Sequence, residues 1–283
     1  MSEAKTGKMR RAGVIGWPVA HSLSPLIHTT WAEREGIAAR YEAIETAPGD
    51  EVFRRRINDL RAEGYRGVNV TIPHKERALK IADRASKAAR AIGAANMLTF
   101  KDDSVIAENS DAAAIESIVL ELPLRPRTAL LLGAGGAARA VLWALSSGKE
   151  APRVLLANRT RGRAEEIAAI ARADVIDWAY RNDALSAADL VINATSLGMT
   201  GQPPLDLDYN RLNAGAVAID IVYSPLETAL LSAARARGLR AIDGLEMLMR
   251  QAAPGYLAWL GTRAEVDADL RARLEAALKA RGA

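Results

Sequence analysis

A glycine-rich turn directly after an apolar strand constrains this chain more than any other feature. The run TALLL at 128–132 is followed by GAGGAA at 133–138, and a helical pattern continues to Ser147. This order matches G-x-G-x-x-G/A between a strand and a helix. Small residues there permit the tight turn, the approach of an anion to the backbone and close packing of the helix on the sheet. The motif therefore predicts a β-α unit whose helix N-terminus binds a phosphate.

The rest of the chain alternates short apolar runs with helical patterns, in two series. In the first series we predict strands at 12–16, 40–46 and 67–72, helices at 25–35, 52–62 and 75–91, and a hairpin from 95–100 and 104–109. In the second we predict helices at 112–122, 137–147, 245–259 and 264–279, and strands at 128–132, 153–160, 173–178, 188–196 and 216–223. Strands that alternate with helices predict an α/β fold with mostly parallel sheets.

The two series differ in one respect, which predicts two domains. The glycine-rich turn occurs only in the second series, so we divide the chain near residues 110–112 and expect a Rossmann-type domain after that point. The pattern alone leaves open whether the C-terminal helices stay with the second domain or return to the first.

Composition excludes several classes of function. The chain contains no cysteine, which excludes disulfides, thiolate metal sites and cysteine nucleophiles. His21, His28 and His74 form no i, i+4 pair, so we expect no catalytic metal. No apolar run reaches the roughly 20 residues that span a bilayer. The polar, basic start MSEAKTGKMRR lacks the apolar region of a signal peptide, and we expect a cytoplasmic protein that does not bind membranes.

The net charge of +4 favours an anionic ligand. Nucleic acid is not expected, because aromatic residues make up only 5% of the chain and its lysines and arginines alternate with acidic residues. We expect a small-molecule substrate as the partner, and either a monomer or a homodimer.

The strand after the glycine turn indicates which dinucleotide binds. It ends at Asn158-Arg159-Thr160, where NAD enzymes usually have an acid that binds the ribose 2′-hydroxyl. The guanidinium of Arg159 suits a 2′-phosphate instead, and Thr160 and Arg163 can add contacts. The turn could be purely structural and Arg159 simply solvated. Their order along the chain nevertheless predicts NADP(H) as the cofactor.

Two serines after the first strand are candidates for anion binding. Ser24 and Pro25 are typical of a helix start, with serine as the N-cap and proline at the first helical position. That cap can be their whole role. Two hydroxyls, Ser22 and Ser24, at a helix N-terminus can equally bind a carboxylate.

A dehydrogenase also needs a group that moves the alcohol proton as hydride leaves carbon. Lys75 and Asp111 both lie at the ends of predicted elements, and a Lys–Asp pair could relay that proton. The alternatives are a solvated lysine and a simple helix N-cap. Asn96 either contacts ligand hydroxyls or ends a helix.

Taken together, these segments resemble the shikimate dehydrogenase family, NADP-dependent enzymes of aromatic amino-acid (chorismate) biosynthesis. The resemblance runs from Gly13 to Gly261, through motifs in a fixed order: GWPVAHSLSP, NVTIPHKE, IGAAN, ENSD, GAGGAARA, NRTRGRA, NATSLGM, DIVYSPLETALL and GLEMLMRQ. It implies an oxidoreductase that reversibly reduces 3-dehydroshikimate to shikimate. It also implies a substrate domain, 1–111 with 245–283 returning to it, and an NADP-binding domain, 112–244, with substrate and cofactor meeting between them.

The resemblance also assigns roles to residues. The implied catalytic pair is Lys75 and Asp111. The implied substrate contacts are Ser22, Ser24, Thr71, Asn96, Asp111, Tyr223 and Gln251. The implied cofactor contacts are Gly133, Ala134, Gly135, Gly136, Ala137, Asn158, Arg159, Thr160, Arg163, Thr195, Ser196, Ile221 and Gly244.

The chain departs from the family pattern at Thr29, Met97, Ser110, Ala112 and Glu246. None of these removes an implied catalytic group, but Ala112 and Glu246 add bulk near the expected substrate and nicotinamide. A paralogue that acts on quinate or an amino-substituted analogue therefore stays an alternative. A non-catalytic NADP-binding sensor is the alternative outside the enzymes, and the intact Lys75 and Asp111 argue against it.

Overall fold

The computed structural model describes residues 9–123, 125–148 and 150–281. Most of the polar N-terminal tail, residues 1–8, lies outside the described residues. The chain divides into two compact units, residues 1–110 with 249–274 and residues 111–248 with 275–283. Helix α10 crosses from the second unit into the first, and helix α11 crosses back; their bounds are Gly244–Leu260 and Ala268–Ala280.

The first unit contains one mixed sheet. Its strands are β1 (Arg10–Gly16), β2 (Ala39–Glu45), β3 (Tyr65–Val70), β4 (Arg84–Ala85), β5 (Met97–Lys101) and β6 (Ser104–Glu108), and its helices are α1 (Ser24–Arg34), α2 (Asp50–Ala62), α3 (Lys75–Lys80) and α4 (Lys87–Ile92). The strand order is β2-β1-β3-β5-β6-β4. β1 is parallel to β2 and β3, and β5 is antiparallel to β3 and β6, which confirms the predicted hairpin. Its core includes Ile15, Phe53 and Leu98.

The predicted helix at 75–91 is wrong. The structure has two short helices there, α3 and α4, with β4 between them. Asp83 Oδ2 accepts a hydrogen bond from Val105 N (2.7 Å), and Ser86 Oγ accepts one from Ala89 N (3.1 Å). Asp83 thus bonds to the backbone of β6 beside the pairing of β4, and Ser86 caps a new helix. These side-chain bonds to the backbone compete with a continuous helix.

The second unit contains six parallel strands. They are β7 (Thr128–Leu132), β8 (Arg153–Ala157), β9 (Ala173–Ile176), β10 (Leu190–Asn193), β11 (Val217–Asp220) and β12 (Arg240–Ile242). Its helices are α5 (Ser110–Leu120), α6 (Gly136–Ser146), α7 (Arg161–Ala168), α8 (Arg181–Ala187) and α9 (Ala229–Ala236), and short 3₁₀ turns cover Trp178–Tyr180 and Tyr209–Arg211. The sequence pattern did not predict β12. This strand has three residues, of which Arg240 is exposed.

Read from β9, the strand order is β9-β8-β7-β10-β11-β12. This is the 3-2-1-4-5-6 order of a Rossmann sheet, in which the direction of winding reverses between the first and fourth strands. Ala129 and Leu131 of β7 join the core on one face, and Leu130 and Leu132 join the core on the other. Burial on both faces explains why β7 is apolar from Ala129 to Leu132. The predicted α/β class with a Rossmann-type domain is confirmed.

Among the described residues, no helix has the length and apolar character that a membrane span requires.

His28 lies inside the first unit with no exposed surface. Its ring stacks on Tyr41, with 3.9 Å between ring centroids and 9° between planes. Burial disfavours the charged imidazolium and lowers the pKa of His28 to about 3. The ring is therefore a neutral part of the core.

We predict that His28 makes folding sensitive to acid. Below pH about 6.5 the unfolded chain binds a proton at this ring that the folded chain does not, so the free energy of unfolding falls as pH falls towards about 3. One such group contributes a slope of about 1.4 kcal/mol per pH unit. His28→Phe should reduce the slope between pH about 6 and about 4.5 by that amount, measured by urea unfolding. The control is Thr29→Ala, at an exposed position of the same helix where no ionisable group changes, and it should keep the wild-type slope. An unchanged slope in His28→Phe would contradict the prediction.

Candidate active site

Five of the residues proposed from sequence lie at one edge of the first unit's sheet. Ser22 and Ser24 follow β1, and Thr71 and Lys75 follow β3, its parallel neighbour. Asn96 precedes β5, whose first residue pairs with Asn69 at the end of antiparallel β3. The carboxyl ends of β1 and β3 and the start of β5 meet at the same edge, so the strand directions alone bring these polar side chains together.

The serines differ from the prediction in their roles at helix α1. Ser24 is not the N-cap but the first helical residue, and Leu23 occupies the cap position. The hydroxyl of Ser22 accepts a hydrogen bond from Ser24 N (3.2 Å). Ser22 is half-buried and Ser24 is buried. Ser22 thus supplies the acceptor for the start of the helix that sequence analysis assigned to Ser24.

Asn96 does not end a helix, because α4 ends at Ile92 with Gly93 in the left-handed conformation. The Asn96 side chain forms two hydrogen bonds with the first residue of α5: Oδ1 accepts from Ser110 N (2.7 Å), and Nδ2 donates to Ser110 Oγ (3.0 Å). Asp111 is the next residue, in the first turn of that helix rather than at its N-cap. Ala95 N donates to Lys75 O (2.9 Å), so one short segment holds the backbone at Lys75 and at Ser110.

Sequence analysis missed two buried groups beside this edge. The hydroxyl of Tyr41 donates to Asn69 Oδ1 (2.7 Å), and Asn69 Nδ2 donates to Asn96 O (3.4 Å). Burial raises the pKa of Tyr41 well above its usual value, so the phenol keeps its proton. The alternation of polar and apolar residues in β2 and β3 carried no signal that these two side chains are paired.

The remaining substrate candidates lie on separate elements. Gln251 is buried on α10, in its first-unit part. Tyr223 follows β11 in the second unit and is half-buried, and burial raises its pKa.

All thirteen cofactor candidates follow the carboxyl ends of the second unit's strands. They follow β7 (133–137), β8 (158, 159, 160 and 163), β10 (195 and 196), β11 (221) and β12 (244). In an open parallel sheet, ligands bind beyond this edge, at the point where winding reverses. Here that point lies between β7 and β10.

Two glycines at this edge have no room for a side chain. Gly133 has φ +111°, and a Cβ there would lie 2.9 Å from Ala194 O at the end of β10. A Cβ on Gly244 would lie 2.2 Å from Ile221 O. These glycines let neighbouring chain segments approach closely.

The edge suits a dinucleotide phosphate. Among the residues that the structure describes, no side chain caps the start of α6, and a Cβ on Gly135 or Gly136 would meet no atom within 4 Å. The start of α6 is therefore uncrowded, and an anion is favoured at such a helix N-terminus. Ala138 is fully buried and lets α6 pack on the sheet. After β8, Arg159, Thr160 and Arg163 are exposed, and Asn158 Nδ2 donates to Thr160 O (2.9 Å), which orders this loop.

The fold and this edge define a two-unit α/β protein with a Rossmann-type dinucleotide-binding unit. A family model described as the substrate-binding domain of shikimate dehydrogenase matches residues 14–98, and one described as shikimate/quinate 5-dehydrogenase matches residues 113–200. The shikimate dehydrogenase (NADP(+)) of Methylocella silvestris is 48% identical over 272 residues, which cover 94% of this chain and 96% of that protein. The chain belongs to the shikimate dehydrogenase family.

Solved structures agree with this assignment. Shikimate 5-dehydrogenase from Thermus thermophilus, in complex with NADP(H) and shikimate, is 34% identical with a TM-score of 0.83, over 96% of this chain and 99% of that one. Quinate dehydrogenase from Corynebacterium glutamicum, in complex with NAD, is 26% identical with a TM-score of 0.86, over 95% of this chain and 100% of that one.

We predict that Gly133→Ala destabilises the second unit. Its Cβ would press on Ala194 O in a conformation that alanine rarely adopts, which should lower the free energy of unfolding by about 2 kcal/mol. The matched control is Gly162→Ala in helix α7, where a Cβ meets nothing within 4 Å. That change should raise the free energy of unfolding by up to about 1 kcal/mol. Denaturant unfolding measures the free energy of unfolding of both variants. Equal values would show that the space between Gly133 and Ala194 O admits a methyl group without cost.

Proposed function

We propose that this protein catalyses the reversible NADP-linked oxidation of shikimate to 3-dehydroshikimate, a step of aromatic amino-acid biosynthesis. One observation carries the proposal: the candidate cofactor contacts all follow the carboxyl ends of the strands in one Rossmann sheet. After β8, Arg159 stands where NAD enzymes usually have an acid. The printed names of the relatives, which specify shikimate and NADP, support it. We assign the substrate role to residues 1–111 with 245–283, and the cofactor role to 112–244.

In this proposal the second unit binds the cofactor. The amides of Gly135, Gly136 and Ala137 bind the pyrophosphate, and Arg159, with Thr160 and Arg163, binds the 2′-phosphate. Thr195, Ser196, Ile221 and Gly244 line the nicotinamide side. Bound NADP⁺ supplies the hydride acceptor, nicotinamide C4.

The first unit binds and orients the substrate. Ser22 and Ser24 bind the carboxylate beside the N-terminus of α1, where an anion is favoured. Thr71, Asn96 and Gln251 of this unit bind the ring hydroxyls, whereas the implied substrate contacts Asp111 and Tyr223 belong to the second unit. Fixed orientation of the ring supplies much of the rate enhancement.

Lys75 moves the proton. As the ring carbon loses hydride, its hydroxyl becomes a carbonyl and releases a proton, which the side-chain amine of Lys75 accepts and passes to solvent. Asp111, the other member of the implied catalytic pair, assists this proton transfer. In the reverse direction, the protonated Lys75 donates to the forming hydroxyl.

We further propose that the protein works in the cytoplasm, as a monomer or homodimer. Sedimentation at working concentrations will show which oligomer is present.

Steady-state rates with two acids and two cofactors test the function. Shikimate with NADP⁺ should have the highest kcat/KM of the four combinations, measured as absorbance of the reduced nicotinamide. Quinate carries an extra hydroxyl on the carboxylate-bearing carbon, and a higher kcat/KM with quinate would favour the alternative of a paralogue that acts on quinate. No turnover with either acid, in protein that binds NADP⁺, would instead support the sensor alternative.

Lys75→Ala should lower kcat by about 10² to 10⁴, because positioned proton transfer contributes that factor. The KM for shikimate should stay within a few-fold, since the carboxylate contacts are intact. Lys80→Ala, which removes an exposed lysine from the same helix, is the control and should keep wild-type rates. Near-native kcat in Lys75→Ala would remove Lys75 from the mechanism.

Arg159→Ala should raise the KM for NADP⁺ by about 10- to 100-fold, because a charge-assisted hydrogen bond contributes about 1.5–3 kcal/mol. The KM for NAD⁺, which has no 2′-phosphate, should not change. The control is Arg153→Ala, at the other end of β8, where the guanidinium pairs with Asp174 (2.6 Å). Equal effects on the two cofactors would contradict the assignment of Arg159.

A further inference from the structure

Two polar side chains lie fully buried at the ends of neighbouring strands in the second unit, and the proposed mechanism uses neither. Asn193 ends β10 and Asp220 ends β11, and neither has exposed surface. Asn193 Nδ2 donates to Asp220 Oδ1 (2.9 Å). A buried carboxylate is costly unless it is hydrogen-bonded, and burial raises the pKa of Asp220 to about 6. The hydrogen bonds of Asp220 offset part of this cost.

Asp220 fixes the orientation of the Asn193 amide. An ionised carboxylate can only accept hydrogen bonds, so the NH₂ group of Asn193 must face it and Oδ1 must face away. Asn193 Oδ1 then accepts from Thr195 N (3.1 Å) and from Thr195 Oγ1 (2.7 Å). The second N–H of the amide donates to Leu197 O (3.1 Å).

The same bonds fix the turn that follows β10. The hydroxyl of Thr195 donates its proton to Asn193 Oδ1, and its oxygen accepts from Leu197 N (3.0 Å). Every polar atom of the Asn193 side chain is therefore bonded to residues 195–197 or to Asp220. This turn includes Thr195 and Ser196, two of the proposed cofactor contacts.

Asp220 holds the segment after β11 in the same way. Its Oδ1 also accepts from Val222 N (3.1 Å), and its Oδ2 accepts from Thr228 Oγ1 (2.8 Å). Thr228 is the N-cap of α9 and accepts from Leu231 N (3.4 Å). The backbone between Asp220 and Thr228 begins with Ile221, a third proposed cofactor contact. One carboxylate thus ties two cofactor segments and a helix start together.

We infer that Asp220, acting through Asn193, is a positioning residue for the cofactor site: it holds the turn at Thr195–Leu197 and the segment at Ile221–Val222 in the shape that binds the nicotinamide half of NADP⁺. The inference rests on the proposed cofactor role of this edge. It does not depend on turnover of shikimate.

A coupled pair of substitutions tests the inference. Asn193→Leu removes the link to the turn but leaves Asp220 bonded to Val222 N and to Thr228. Asp220→Asn keeps the side-chain shape but no longer forces the orientation of the Asn193 amide. We expect the dissociation constant for NADP⁺, titrated without shikimate, to rise about tenfold in Asn193→Leu and about fivefold in Asp220→Asn, which is about 1.4 and 1 kcal/mol.

The double variant separates positioning from general destabilisation. Because both residues act along one chain of bonds, Asn193→Leu/Asp220→Asn should bind NADP⁺ no more weakly than about tenfold below wild type, instead of the fiftyfold that independent effects would give. At saturating NADP⁺, the KM for shikimate should stay within twofold in every variant. Ser86→Ala, which removes the N-cap of α4 in the first unit, is the control: it should lower Tm but leave NADP⁺ affinity unchanged.

Two outcomes would overturn the inference: NADP⁺ affinity within twofold of wild type in both single variants, or independent effects in the double variant. If Asn193→Leu does not fold, Asp220→Asn alone decides, since an unchanged dissociation constant there removes the role of the carboxylate. Wild-type protein that binds NADP⁺ without oxidising shikimate would refute the proposed function and leave this test valid. Wild-type protein that does not bind NADP⁺ would refute both.

Discussion

The second unit depends on the close approach of two chain segments at the point where its sheet reverses its winding. Gly133 turns the chain out of β7 directly against the end of β10, with space for a hydrogen atom but not for a methyl group. Gly133 N donates to Ala157 O at the end of β8 (2.9 Å), and Ala194 N donates to Leu132 O (2.8 Å). Three strand ends are thereby fixed to one another. The amides at the start of α6 are then held in place before any ligand arrives, so binding a phosphate costs little reorganisation.

Both units use the same physical arrangement on different sheets. Apolar strands supply the core and a rigid frame, and the first polar residues beyond their ends are the candidate site residues. In the first unit this edge carries Ser22, Thr71 and Asn96. In the second unit Asn193 and Asp220 are turned inwards and bonded to their neighbours, so that exposed groups such as Ser196 are presented on an ordered backbone. Buried polar groups at the strand ends therefore determine the shape of the sites without contacting solvent.

Much of this could be predicted from sequence because the signals are local. The apolar run of β7 and the glycines after it predicted the parallel unit, and the spacing of Arg159 from the turn predicted its position after β8. The helix proposed at 75–91 failed because Asp83 accepts from Val105 N, a backbone group that only the folded sheet brings near, and because Ser86 caps a new helix by accepting from Ala89 N. Ser24 lies one position inside the helix because Leu23 takes the cap position and the hydroxyl of Ser22 accepts from Ser24 N. The Asn193–Asp220 pair could not be predicted from the sequence. The two residues are 27 positions apart, and only the pairing of β10 with β11 brings them together.

A crystal structure with NADP⁺ bound tests the central claim most directly, that the carboxyl edge of the Rossmann sheet is the cofactor site. The account predicts pyrophosphate oxygens within hydrogen-bonding distance of the amides of Gly135–Ala137, and the 2′-phosphate on the guanidinium of Arg159. A dinucleotide bound at any other edge, or one whose 2′-phosphate makes no contact with the loop after β8, would contradict it.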